Sequence, residues 1–419
     1  MTGSGRVLVV VEQLRRAVPG GIGTTALGLL DGLRRVGSDA SDRVELYASR
    51  PRHGPDPLRA LGYPVVTVPV PGPVLTRAWA RGRLPAPRHV SVVHAVSLAF
   101  PPPRSAALVV QVNDLLWRAL PEAFPPRGRR WHEGALARAI ALADRLVVPA
   151  PAVAAELVAA GAHPSVIRVV PYGCDHLAPP DRDAATHVLA RFGVRGPFLL
   201  SVGTLEPRKN LRRIIGAYRS IRDALPAPWP LVLVGPQGWD EQIAATEDVV
   251  LVGRVEPPVL TALYDMARLL VYAPLMEGYG LPPLEAMSRG TPVVASPLPS
   301  TGTAAYDVDP DDQDAIATAL LTVSCDEEVR SALSERGRVH SASLTWAATA
   351  RSMAAIWDED ELGSRPVSGG SGLGRRTDRR TGRRPVGQGR GQASPSAGAQ
   401  PSKPSPGQRG DGESGACAC

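Results

Sequence analysis

The sequence predicts an α/β chain of two open-sheet domains in tandem, followed by a tail that has no core of its own. Three observations carry this. The 419 residues, 44% of them hydrophobic and 21% charged, suffice for two or three cores at roughly 150 residues per domain. Short apolar runs alternate with helical periodicity in two successive series, as in parallel sheets buried on both faces. From about Gly363 the alternation stops, and Gly, Pro, Ser, Arg and Gln take over.

The first series opens with Arg6–Val11, an apolar run that predicts a buried strand. Only five apolar residues precede Glu12, too few for a secretory leader. Pro19-Gly20-Gly21-Ile22-Gly23 predicts a glycine loop, and TTALGLLDGLRR after it a helix with one apolar face. Strands follow at Val44–Ala48, Val65–Val68, Ser91–His94, Leu108–Val112, Leu146–Val148 and Ile167–Val170, with helices at Arg129–Ala143 and Ala152–Ala160. These make a first Rossmann-like domain, residues 1–179. The second, residues 180–343, starts with a linker and short helix. Its strands are expected at Phe198–Val202, Pro230–Val234, Val249–Val252, Leu269–Tyr272 and Pro292–Ala295. Helices run from Leu211, over Pro257–Ala267, from Pro283, and over Asp311–Leu321 and Glu327–His340. A last helix in 344–360 could pack back on the first domain. Ligands of open sheets bind beyond the C-terminal strand ends, so two such domains can build a cleft.

The tail, 361–419, is low-complexity and expected to be disordered. It carries ten Arg and Lys against four acids, or +6 of the chain's +7. The body is therefore nearly neutral, and its charge gives no reason to expect a specific nucleic-acid partner. No run approaches 18 uncharged apolar residues. Four cysteines, Cys174 and Cys325 far apart and Cys417 and Cys419 at the end, exclude a disulfide scaffold. They point to a reducing, cytoplasmic setting.

Three segments carry chemistry. In Leu275–Gly290, Glu277 follows a strand, Pro282 and Pro283 suit a helix start, Glu285 falls in the expected first turn, and Gly290 suits the stop. Two carboxylates aimed into one mouth are good acceptors for sugar or ribose hydroxyls. The plainer alternative makes Glu285 a helix-start acid and Glu277 a solvated one. In Ser201–Asn210, Gly203 ends a strand, and Arg208, Lys209, Arg212 and Arg213 crowd a helix N-terminus. Cations there oppose the helix dipole, and a bound diphosphate reverses the sign. A solvated basic face is the alternative. On the first domain, His94 and Asp114 lie at neighbouring strand ends. The loop glycines Gly21 and Gly23 permit close backbone approach by a ligand, although no clean dinucleotide fingerprint is present.

EGYGLPPLEAMSRGTPVVAS and SVGTLEPRKN resemble the hallmark segments of glycosyltransferase family 4, retaining enzymes of the two-domain GT-B fold, and the style is closest to bacterial mannosyltransferases. The resemblance covers roughly residues 6–358. It implies that Glu277 contacts the donor sugar, Glu285 the ribose, and Lys209 the diphosphate, with Arg208 beside it. It further implies that Gly21, Gly23 and Gly203 approach the donor, that Gly235 and Arg254 line the base, and that His94 and Asp114 serve catalysis. Three positions depart from the pattern. Thr204 stands where many relatives carry Arg, and Asn113 and Val96 stand where relatives carry His.

The implied reaction is hexosyl transfer with retention from a nucleoside-diphosphate sugar, GDP-mannose favoured, to a saccharide or lipid-linked acceptor. Glucose, rhamnose or N-acetylglucosamine donors fit the same pattern. No cofactor and no metal are expected: no Asp-x-Asp lies at the site, and Asp309-Pro-Asp311 lies elsewhere. Arg77, Trp79, Arg81 and Arg83, with Arg127, Arg129, Arg130 and Arg138 beside Phe124, Trp131 and Leu136, could form a basic-aromatic surface that, like the basic tail, suits peripheral contact with anionic lipid at the inner face of the cell membrane. Ordinary helix faces are the plainer account. A phosphorylase or synthase of the same fold is one rival. A catalytically weak sugar-nucleotide-binding or scaffold subunit is another, motivated by Thr204, Asn113 and Val96 and opposed by intact Glu277, Lys209 and Glu285.

Overall fold

A computed structural model describes residues 5–16, 18–51, 54, 56–227, 229–238 and 243–359. The expected disordered tail lies outside the described residues. Two parallel sheets organise the chain. The first contains β1 (Val7–Val10), β2 (Val44–Ser49), β3 (Val65–Val68), β4 (Val92–Ala95), β5 (Ala107–Gln111), β6 (Arg145–Val148) and β7 (Ile167–Val169), in the order β3-β2-β1-β4-β5-β6-β7. The second contains β8 (Leu199–Val202), β9 (Leu231–Val234), β10 (Val249–Gly253), β11 (Leu269–Tyr272), β12 (Val293–Ala295) and β13 (Tyr306–Asp307), in the order β10-β9-β8-β11-β12-β13. Strand order reverses between β1 and β4 and again between β8 and β11. Each reversal leaves a crevice beyond the strand ends.

Burial on both faces explains the unbroken apolar runs. Each residue of β1, β4, β5 and β11 is buried. Alternation still sorts the side chains. In β4, Val93 and Ala95 join the core that contains Trp79 and Phe100, while Val92 joins the opposite core with Leu33 and Trp357. His94 lies on that second face, against the Trp357 ring at 5.5 Å.

Several elements differ from expectation. The expected glycine loop is the first turn of a helix, Gly20–Val36, entered through Gly20 at φ +62°. The helix expected from Arg129 starts at Pro126, where a missing N–H costs nothing. The helix expected from Pro283 is Leu281–Ser288, entered through Gly280 at φ +94°. Glu285 is thus its fifth residue, past the first turn, and does not cap it. The two-residue strand β13 and the helix Gly72–Ala80 carry too few apolar repeats to be seen in the sequence.

The helix Trp346–Trp357 lies along Gly20–Val36. Two glycines permit this. A Cβ on Gly28 would sit 2.1 Å from the Trp346 ring, and one on Gly32 would sit 2.2 Å from the Trp346 carbonyl oxygen. Ion pairs fix the far end: Asp358 meets Arg43 at 2.7 Å, and Glu359 meets Arg145 at 2.5 Å and Arg168 at 2.8 Å. Among the described residues no helix is long and apolar enough to cross a membrane.

Candidate functional site

The second sheet places its charged residues through one tight turn. After β8, Gly203 passes under β9's end, where Gly235 must be glycine: a Cβ there would lie 2.0 Å from the Gly203 carbonyl oxygen. Pro207–Lys209 then forms a single 3-10 turn. Asn210 follows in the left-handed region, at φ +58°, and its amide donates to the carbonyls of Ala273 at 3.0 Å and Pro310 at 2.7 Å. Those bonds tie the turn to the end of β11 and direct Lys209 inward.

Lys209 Nζ donates to both Glu277 Oε2 and the Tyr272 hydroxyl. The same Glu277 oxygen accepts from Tyr272 at 2.6 Å and from Arg208 Nη1 at 2.8 Å, while Arg208 Nη2 lies 2.5 Å from Glu206 Oε1. Burial disfavours the Glu277 carboxylate, yet Lys209 and Arg208 outweigh it and hold the carboxyl down at about 2. Burial pulls Lys209 below its ordinary value, with Glu277 supporting its charge. Burial also opposes the charge on Arg208, but Glu277 and Glu206 raise it overall. Two cations and two carboxylates therefore neutralise one another in the free protein. This corrects the expectation of uncompensated cations at the helix start. Arg213 is also committed, to Pro310 O at 2.7 Å and Asp311 at 3.1 Å, which brings the Asp-Pro-Asp segment beside this helix after all.

Glu285 sits deeper. Its Oε2 accepts from Tyr264 at 2.7 Å, and Oε1 lies 3.2 Å from His176 Nε2. His176 Nδ1 accepts from Trp346 Nε1 at 2.9 Å, so its proton is on Nε2 and points at Glu285.

Two cavities meet over this cluster. One, of about 360 Å³, is lined by Gly21, Gly203, Thr204, Lys209, Tyr272 and Glu277 among others. The other, of about 240 Å³, reaches into the first domain between Trp117, Phe124, Trp131 and His132. Ile22, Asn113, Asp114 and Arg208 line both. The domains touch here because residue 278 is glycine: a Cβ would lie 2.4 Å from the Asn113 carbonyl oxygen and 2.6 Å from Asp114 Cβ. Burial raises the Asp114 carboxyl, and the Glu277 charge adds to this.

The remaining expected residues fall away from these cavities. His94 is fully buried, accepts from Trp357 Nε1 at 3.0 Å, and is pulled down to about 4 by burial. Its strand faces it into the layer under the last helix, so it is a core residue and not a cleft-facing one. Gly23 is buried against Pro19, and neither Gly235 nor Glu285 lines either cavity. Arg254 is exposed and lies off both. Val96 is core, and Asn113 Oδ1 accepts from Tyr172 and from Gln111 at 2.9 Å. Sequence reasoning missed Glu206, Tyr272, Tyr264, His176 and His132. Glu206 lies inside one recognised segment and Tyr272 shortly before another, but nothing local signals their pairing.

A family model described as glycosyl transferases group 1 matches residues 191–340, and one described as glycosyltransferase family 4 matches residues 19–176. The O-antigen chain mannosyltransferase B of Escherichia coli is 35% identical over 161 residues, covering 36% of this chain and 42% of the relative. A D-inositol 3-phosphate glycosyltransferase of Geodermatophilus obscurus is 33% identical over 245 residues, covering 52% and 53%. The chain thus matches about half or less of the length of these curated relatives. HepE of Anabaena, solved with UDP and glucose, aligns over 84% of this chain and 99% of its own with a TM-score of 0.64 at 17% identity. WaaG, described as a glycosyltransferase of lipopolysaccharide biosynthesis, aligns over 84% and 100% with a TM-score of 0.62 at 18% identity. These structures share the arrangement of two facing Rossmann-like sheets known as GT-B.

Proposed function

The chain belongs to glycosyltransferase family 4, and from that premise we propose that it is a retaining, metal-independent hexosyltransferase that moves mannose from GDP-mannose to a saccharide or lipid-linked acceptor. One observation carries the assignment: Glu277, Lys209 and Arg208 are bound together where a donor-side cavity joins one on the first domain. A diphosphate entering there can take over Lys209 and Arg208 with charge-assisted bonds. Glu277, released from both cations, then accepts from donor-sugar hydroxyls. As the bond from the anomeric carbon to the phosphate oxygen breaks, the two cations neutralise the departing diphosphate. The acceptor oxygen bonds to the same face of that carbon, and its proton passes to the leaving phosphate. Arg208 supplies the second cation that Thr204 does not. The mannosyl assignment follows the O-antigen relative, and HepE with UDP makes UDP-glucose the first competitor.

Calorimetric titration with GDP, UDP, ADP and dTDP, without added metal, tests this. Micromolar binding of GDP together with release of GDP from GDP-mannose is expected. Preference for UDP would reassign the donor. Binding without turnover would favour a scaffold subunit, and no nucleotide binding at all would overturn the transferase assignment.

A further inference from the structure

The cavity on the first domain contains a histidine that the donor chemistry does not use. His132 lies in the helix Pro126–Leu142, wedged among aromatic rings. Its ring stacks on Trp117 at 4.7 Å and meets the edges of Trp131 at 4.9 Å and Phe124 at 6.1 Å. Nδ1 is 2.9 Å from the Gly128 carbonyl oxygen, which can only accept. The proton is therefore on Nδ1, and Nε2 carries a lone pair. Nε2 has no hydrogen-bond partner among the described residues and is not sealed in the core, and the residue lines the cavity. Burial lowers the imidazole below its ordinary value, and Arg16 lowers it further, against the Gly128 bond and Asp114. At neutral pH it is an uncharged hydrogen-bond acceptor.

The rest of the cavity is mixed in charge: Arg16 and Arg208 line it beside Asp114 and Glu206. The Asp114 carboxylate also accepts, and Arg208 is already paired with Glu206 and Glu277. Aromatic faces and hydroxyl-seeking acceptors together suit a pyranose ring, which offers C–H faces for stacking and O–H groups to donate. We infer that this cavity binds an uncharged terminal pyranose of the acceptor, stacked on the Trp131–Phe124 wall and donating a hydroxyl to His132 Nε2. The word acceptor rests on the transferase reading above; the binding of a neutral pyranose does not.

Tryptophan fluorescence of the full chain, titrated with methyl α-D-mannopyranoside, tests this without any donor. Expected is saturable quenching by the glycoside. H132F keeps the aromatic packing and removes the lone pair; it should weaken glycoside binding about tenfold and leave GDP and UDP affinity by calorimetry unchanged. H132Q restores an acceptor that does not titrate. The charged groups around the ring are Arg16, Asp114, Glu133, Glu206 and Arg208, and Asp114 also gains a proton in acid. Because burial lowers the imidazole, wild-type affinity should fall only in acid below the ordinary histidine range, and H132Q should keep only the part of that fall due to Asp114. Equal binding by wild type and H132F, or no glycoside binding, overturns the inference. Loss of nucleotide binding with glycoside binding intact overturns the donor assignment instead.

Discussion

A buried carboxylate held by two cations has a predictable response to acid. The Glu277 carboxyl stands at about 2 in the folded chain against an ordinary 4.5, so the unfolded chain binds its proton first as pH falls. The stability it contributes is complete above about pH 4.5 and disappears between there and pH 2. Denaturant titrations at pH 6 and pH 3.5 should show wild type losing more stability than E277Q, whose amide does not titrate; equal losses would mean the cluster is open in solution. The same cluster makes Lys209 informative. Lys209→Met removes one of the two cations proposed to meet the diphosphate, and nucleotide affinity should drop at least about tenfold, near the value of one charged hydrogen bond. Unchanged affinity would remove Lys209 from the donor site. Glu277, Lys209 and Arg208 were legible because each stands in a contiguous motif whose residue types have few other uses. His94 was not. Alternation along β4 assigns it to one of two faces, and only the packing of the distant Trp357 tells which face is core.

Glycines in the helix Gly20–Val36 divide by what stands opposite them. At Gly32 a Cβ would meet the Trp346 backbone carbonyl at 2.2 Å, and backbone cannot swing aside. Gly32→Ala should therefore cost about 1–3 kcal/mol despite its better helix propensity, read as a lower Tm. An unchanged Tm would mean that the last helix does not pack on this face. Gly21 has nothing within 4 Å of its would-be Cβ and lines the donor-side cavity. Gly21→Ala should keep or raise Tm and weaken nucleotide binding; full affinity would show that the backbone there does not approach the ligand. Buried strands declared themselves as apolar runs such as Val7–Val10. Helix starts did not, because Gly20 and Gly280 begin helices from a left-handed conformation that in sequence looks like a loop.

At the scale of the two sheets, the helix Trp346–Trp357 links the first sheet to Glu285 of the second domain. Trp346, Met353, Ile356 and Trp357 are all buried, at 0 to 4% exposure, and Trp346 also holds His176 against Glu285. Four such side chains at about 1.5–3 kcal/mol each match the stability of a typical domain, about 5–15 kcal/mol. A chain ending after Ser343 would lose them, and would leave Arg43, Arg145 and Arg168 without Asp358 and Glu359. It should show no cooperative unfolding transition, whereas a chain ending after residue 362 should keep Tm and nucleotide affinity. Trp346→Phe separates packing from linkage. The smaller ring still fills most of the space over Gly28 but cannot donate to His176, so Nε2 is no longer fixed as the donor toward Glu285. If Glu285 holds the ribose, this variant should fold and bind nucleotide roughly fivefold more weakly, the worth of about one hydrogen bond. Should it bind as tightly as wild type, Glu285 is oriented by Tyr264 alone, and the last helix contributes to stability but not to the donor site.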